Sequence, residues 1–124
     1  RLFPKLLDRR APDFSYRTCN FKVQKSKANC ARVAVWRDFR LTNSYTMEAS
    51  FAGSDVGPNR DLHFKERNYE EMGHHFVAAL LDLIDPTSAV AVEEEANLRE
   101  LHPSKFVSAE EKKKRRGAKK KKSK

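Results

Sequence analysis

The sequence predicts an α/β chain that forms the edge of a larger sheet. Three observations carry that reading. Apolar residues recur at helical spacing near the start of the chain and again over residues 69–84. Strand-like stretches lie between them. Two nearly all-apolar runs, residues 33–36 and 77–84, need more cover than so short a chain readily supplies.

Each element has a local reason. Leu2, Phe3, Leu6 and Leu7 step as one helical face, and Pro4 is tolerated in a first turn. Arg9 and Arg10 close the pattern, and Pro12 stops it. This short amphipathic helix needs a partner surface. Residues 20–24 alternate polar and apolar, as a half-buried strand does. Residues 25–31, Lys-Ser-Lys-Ala-Asn-Cys-Ala, have no period and read as a loop. Residues 32–36, Arg-Val-Ala-Val-Trp, predict a strand covered on both faces. Residues 43–51 alternate most clearly. Tyr45, Met47, Ala49 and Phe51 share one face, and Ser44, Thr46, Glu48 and Ser50 the other.

Residues 53–58 then break regular structure. Over 69–84, Tyr69, Met72, Phe76, Leu80 and Leu83 form one apolar stripe. Asn68 with Glu71 three residues later predicts a capping box. Glu70 and Glu71 suit the positive end of the helix dipole. Asp85-Pro86 ends the helix. Residues 90–101 predict a weaker acidic helix with 93–95 exposed. The order is therefore helix, strand, strand, strand, helix, helix.

Composition narrows the class. The 124 residues are 39% hydrophobic and 35% charged, with 4 Gly and 5 Pro, which excludes collagen-like and low-complexity chains. No apolar run reaches the roughly 18 residues of a membrane span, so no membrane partner is expected. The net charge of +9 is unevenly placed. Residues 110–124 hold ten Lys or Arg against two acids, a net +8, while residues 1–109 carry a net +1. Basicity belongs to the tail, which is predicted to be disordered because it cannot bury enough apolar surface to offset its ordering entropy. Cys19 and Cys30 are too few and too close for a disulfide framework or a zinc knuckle, and read as free thiols. The chain starts at Arg1 without a secretory leader, so the expectation is further chain upstream or a processed start.

Four groups of residues are candidates for chemistry. Glu48 could act as a general base, although a lone strand carboxylate is ordinarily solvated. His74 and His75 lie four residues after Glu70 and Glu71, a spacing that metal sites use. Adjacent helical histidines point about 100° apart, which favours surface imidazoles. Lys25, Lys27 and Arg32 could form a basic wall for an acidic ligand, with Arg32 as a bidentate fork. The Lys-rich run suits nuclear import, an acidic protein surface or nucleic acid. There is no Gly-rich phosphate loop and no CxxC pair.

Taken together, several segments resemble the cytosolic carboxypeptidases, zinc enzymes that trim glutamate from tubulin tails. They are Arg-Leu-Phe-Pro-Lys-Leu-Leu at 1–7, Ser-Lys-Ala-Asn-Cys-Ala-Arg-Val-Ala-Val-Trp-Arg at 26–37, Asn-Ser-Tyr-Thr-Met-Glu-Ala-Ser-Phe at 43–51, and Glu-Glu-Met-Gly at 70–73. Ser-Tyr-Thr-Met-Glu is the most distinctive. The resemblance covers residues 1–86 and implies the C-terminal part of a mixed-sheet α/β catalytic domain. Residues 87–104 are then an acidic extension, and 105–124 a disordered basic tail.

By the same resemblance, Glu48 is the catalytic base toward a zinc-bound water. Arg32 and Lys27 sit in the substrate-covering loop and are expected to contact acidic side chains. The implied cofactor is zinc, the implied partner an acidic tail such as tubulin's, and the implied location cytoplasmic and microtubule-associated. Nucleic acid, or entry to the nucleus, is expected only through the Lys-rich tail.

The chain also departs from that pattern. The family loop reads Ser-Lys-Glu-Gly-Thr-Gly-Arg, whereas Ala28, Asn29, Cys30 and Ala31 replace its middle here, both glycines included. The family's His-x-x-Glu zinc pair, later histidine and Asn-Arg pair all precede the equivalent of Arg1. His63 and Glu66 have the right separation but follow Glu48, against the family order. The expectation is a segment that carries the base without the metal and is inactive alone. The rival reading is a non-enzymatic module that binds through its basic tail.

Overall fold

The computed structural model describes residues 1–103. The expectations for the Lys-rich tail and for the end of the acidic extension lie outside them. Four α-helices are present among the described residues: α1 (Leu2–Arg10), α2 (Ala31–Phe39), α3 (Glu66–Ile84) and α4 (Ala89–Leu101). Short 3₁₀ turns occupy Tyr16–Thr18 and Lys25–Lys27.

The core forms where α1 lies against α3 and α4. Leu6 and Leu7 are fully buried, joined by Phe3, Ala11 and Ala79. Met72, Phe76 and Leu83 of α3 and Val90 and Ala91 of α4 pack around them. The Phe3 and Phe76 rings meet edge to face at 5.1 Å. Thus the N-terminal apolar face finds its partner in the long C-terminal stripe, more than sixty residues away in sequence.

Ion pairs on the polar side hold the same three helices. Arg10 grips Asp82 through two hydrogen bonds of 2.7 and 2.8 Å, and the Ser88 hydroxyl donates a third at 3.2 Å. Ser88 also caps α4 by accepting from the Ala91 N–H. Arg9 bridges Glu93 and Glu94.

Helix α3 begins earlier than the pattern predicts. Lys65 is its N-cap residue, and Asn68 lies inside the first turn, where its Oδ1 accepts from the Lys65 N–H at 2.8 Å. Asn68 therefore helps to cap the helix from position N3 rather than from the N-cap. The predicted stop is found: α3 ends at Ile84, with Asp85 as its C-cap.

The strand expectations fare differently. There is no β-strand among the described residues, only two isolated bridges within residues 53–63. Residues 32–36 lie within α2, where the Val33 and Ala34 N–H groups donate to the Cys30 carbonyl at 2.9 and 3.0 Å. A β-branched run prefers strand only modestly, and a strand needs a neighbouring ladder. Without one, a helix satisfies the backbone groups internally. Arg40, left-handed at φ 57°, closes α2.

Residues 20–24 and 43–51 have irregular backbone. Of the predicted apolar face only Tyr45 is partly covered, its ring meeting Phe21 edge to face at 6.2 Å, while Met47 and Ala49 are exposed and Phe51 fully so. The two runs expected to need cover lack much of it. Trp36, Val77 and Leu81 are each more than half exposed. No single helix among the described residues is long and apolar enough to cross a membrane; α3 and α4 pass that test only together, across a bend of 78°.

Candidate functional site

Residues 53–63 form a compact loop that closes one side of a cavity. Gly53 bridges to His63, and Ser54 to Arg60. Asp13 anchors the loop: Asn59 Nδ2 donates to its carboxylate at 2.6 Å, and the Ser54 hydroxyl donates to its carbonyl at 3.2 Å. Gly57 turns the chain at φ 76°, and a Cβ there would strike the Pro12 carbonyl.

The cavity has a volume of about 720 Å³. Phe3, Phe21, Tyr45, Phe64, Tyr69 and Met72 supply an apolar and aromatic lining. Glu48, Arg32 and Lys27 also line it, so the structure brings all three sequence-predicted residues to one space. Glu48 and Lys27 are exposed and Arg32 is half-buried. None of the three side chains is committed to a hydrogen bond or ion pair among the described residues. One anionic and two cationic groups therefore stand available around an apolar floor. Such a space suits a ligand with an acidic side chain beside a polarised group.

Charge and burial shape the surrounding wall. Arg1 lies over the Phe21 ring at 4.6 Å, and Lys5 over Tyr16 at 4.7 Å. Burial pushes the Tyr45 hydroxyl above its usual range, with Tyr16 adding to this and Arg1 opposing it. Cys19 and Cys30 both face the cavity as free thiols. Burial, then Asp8, pushes the Cys19 thiol up, which keeps it protonated and unreactive.

The remaining candidates do not join this site. His74 and His75 lie on α3 with ring centroids 6.2 Å apart. Glu71 pairs with Arg67 at 2.9 Å. Among the described residues no group of three or more His, Cys, Asp or Glu converges to hold a metal ion. The donors present therefore do not fit zinc by themselves.

Two hydroxyls that the sequence reading passed over hold the Glu48 segment. Ser44 Oγ donates to the Arg32 carbonyl at 2.8 Å, tying the segment to α2. The Tyr69 hydroxyl donates to the Ser50 carbonyl at 2.8 Å, tying the other end to α3. Tyr69 reads in sequence as one more member of an apolar stripe, and that pattern is silent on where a phenol's oxygen goes.

No family model matches the chain, and no solved structure matches it. Curated proteins do. The chain is 48% identical over 90 residues to cytosolic carboxypeptidase 2 of Xenopus tropicalis, covering 72% of this chain and 9% of that protein. It is 45% identical over 102 residues to cytosolic carboxypeptidase 2 of Homo sapiens, covering 82% and 11%. It is 46% identical over 83 residues to cytosolic carboxypeptidase 4 of Mus musculus, covering 67% and 7%. The chain belongs to the cytosolic carboxypeptidase family. It spans about a tenth of the length of the curated relatives it matches.

Proposed function

We propose that this chain forms one wall of a metallocarboxypeptidase active site. The reaction is hydrolytic removal of C-terminal residues, glutamate foremost, from acidic protein tails such as tubulin's. One observation carries the reading: Glu48, Arg32 and Lys27 line a single cavity, with their charged groups uncommitted. Glu48 takes the proton of the attacking water and delivers it to the leaving amine. Arg32 and Lys27 draw in the acidic side chain, Arg32 in fork geometry. Zinc is the cofactor of the family that the sequence resembles, and here it needs donors from outside the described residues.

The α/β architecture fits the same picture. Residues 43–51 alternate as a strand and gain a ladder when the rest of a sheet is present. The exposed faces of α2 and α3 then gain their cover. The family name of the relatives supports a place in the cytosol.

The test places this chain in the matching segment of the human relative and measures release of C-terminal glutamate from a glutamate-ended peptide. Glu48→Gln should lower the rate by a factor of about 10² to 10⁴ while bound zinc stays unchanged. A zinc-loaded Glu48→Gln protein at full rate overturns the reading. The 124-residue chain with added zinc should show no turnover, and turnover there would place the metal donors within it.

A further inference from the structure

Residues 45–49 make no backbone hydrogen bond among the described residues, so nothing in their own backbone fixes Glu48 in place. The polar ties lie at the two ends. Ser44, four residues before Glu48, donates to the Arg32 carbonyl. Ser50, two residues after it, accepts from Tyr69. Past that point the chain is pinned again: Ser50 Oγ accepts from the Ala52 and Gly53 N–H groups, and the Phe64 N–H donates to the Ala52 carbonyl. The Tyr69 ring is itself held edge to face against Phe64 at 5.6 Å, so its hydroxyl is aimed by packing.

We propose that the Tyr69 and Ser44 hydroxyls are positioning groups that clamp the Glu48 segment between α3 and α2. This rests on the reading of Glu48 as the base. The two helices also carry cavity-lining residues, Tyr69 and Met72 on α3 and Arg32 on α2. The clamp therefore sets the carboxylate against the substrate-facing wall as well as against its own neighbours. General-base catalysis is steep in geometry, and a misplacement of about 1 Å costs up to about 10²-fold.

Two measurements test it. In the 124-residue chain, a glutamyl endopeptidase reports on the segment by cutting after Glu48. Tyr69→Phe keeps the ring and removes one hydrogen bond, so cleavage at 48–49 should rise about fivefold while cleavage at Glu71 stays level. Unchanged cleavage at 48–49 overturns the clamp.

In the chimera described above, Tyr69→Phe should lower kcat about tenfold, with KM within twofold and the pH profile unmoved. Ser44→Ala should do the same, and Ser44→Thr should restore the rate. If Glu48→Gln abolishes turnover but Tyr69→Phe leaves kcat intact, the clamp alone falls. If Glu48→Gln leaves turnover intact, the base assignment falls and the clamp with it. Loss of bound zinc in Tyr69→Phe, or cleavage that rises equally after Glu48 and Glu71, marks a general structural role and also overturns the proposal.

Discussion

Removing either partner of the Arg10–Asp82 pair breaks the same two hydrogen bonds, yet the two deletions should cost different amounts. The Asp82 side chain is 12% exposed and that of Arg10 is 41% exposed. In Asp82→Ala, Arg10 swings into water and recovers most of its solvation. The lost attraction then counts at surface values, and with the Ser88 contact the total is about 1 kcal/mol. In Arg10→Ala, a shielded carboxylate keeps only the Ser88 hydroxyl, and the desolvation of its unpaired oxygens raises the cost to about 2 kcal/mol.

For a chain of this size these figures correspond to melting shifts of about 4–8 °C and about 8–16 °C. The assay is thermal unfolding followed by circular dichroism at 222 nm. The pH dependence adds a second check. Arg10, then Ser88, hold the Asp82 carboxyl below its usual range against the opposing effect of burial. The pair's contribution is therefore present above the ordinary carboxylate range and is lost as pH falls through the depressed value. The gap between the parent chain and Arg10→Ala should close in acid. Equal losses in the two variants at neutral pH, or a gap that widens in acid, would refute the reasoning.

Leu6→Ala empties the centre of the α1–α3 contact, where Leu6 has no exposed surface, and should cost about 2–5 kcal/mol in the same melt. Gly57→Ala puts a methyl group against the Pro12 carbonyl at a left-handed residue, so limited proteolysis should cut residues 53–63 sooner than in the parent chain. Arg32→Ala in the chimera should raise KM for glutamate-ended peptides about tenfold while kcat changes little. A KM that is unchanged and insensitive to salt would remove Arg32 from substrate contact.

How far the residues alone reach depends on the range of the forces involved. Helices α1 and α3 could be read from the chain because an apolar stripe at helical spacing needs only one surface to lie against. Leu6, Leu7, Met72 and Phe76 all meet that need. Helix α4 is helical as expected, but residues 93–95 are not its exposed side, since Glu94 is buried where Arg9 reaches across from α1. The stop at Asp85-Pro86 is local backbone chemistry and was equally plain. The start of α3 was misread because Asn68 acts from inside the first turn, a choice among caps that sequence spacing does not settle. Residues 32–36 were misread because strand or helix there depends on a ladder partner, which no local pattern records.

The sequence by itself determined the family and the amphipathic faces of α1 and α3, since these depend on residue identity and short-range periodicity, while the candidacy of Glu48, Arg32 and Lys27 comes from the family resemblance. Only the tertiary structure decided that α1 joins α3 and α4 across most of the chain, and that those three side chains line one cavity. It alone decided that the Ser44 and Tyr69 hydroxyls pin the segment carrying the carboxylate. The reason is distance along the chain. Periodicity acts over a few residues, whereas a hydroxyl nineteen residues beyond its acceptor, or a guanidinium seventy-two before its carboxylate, finds its partner only after the helices have packed.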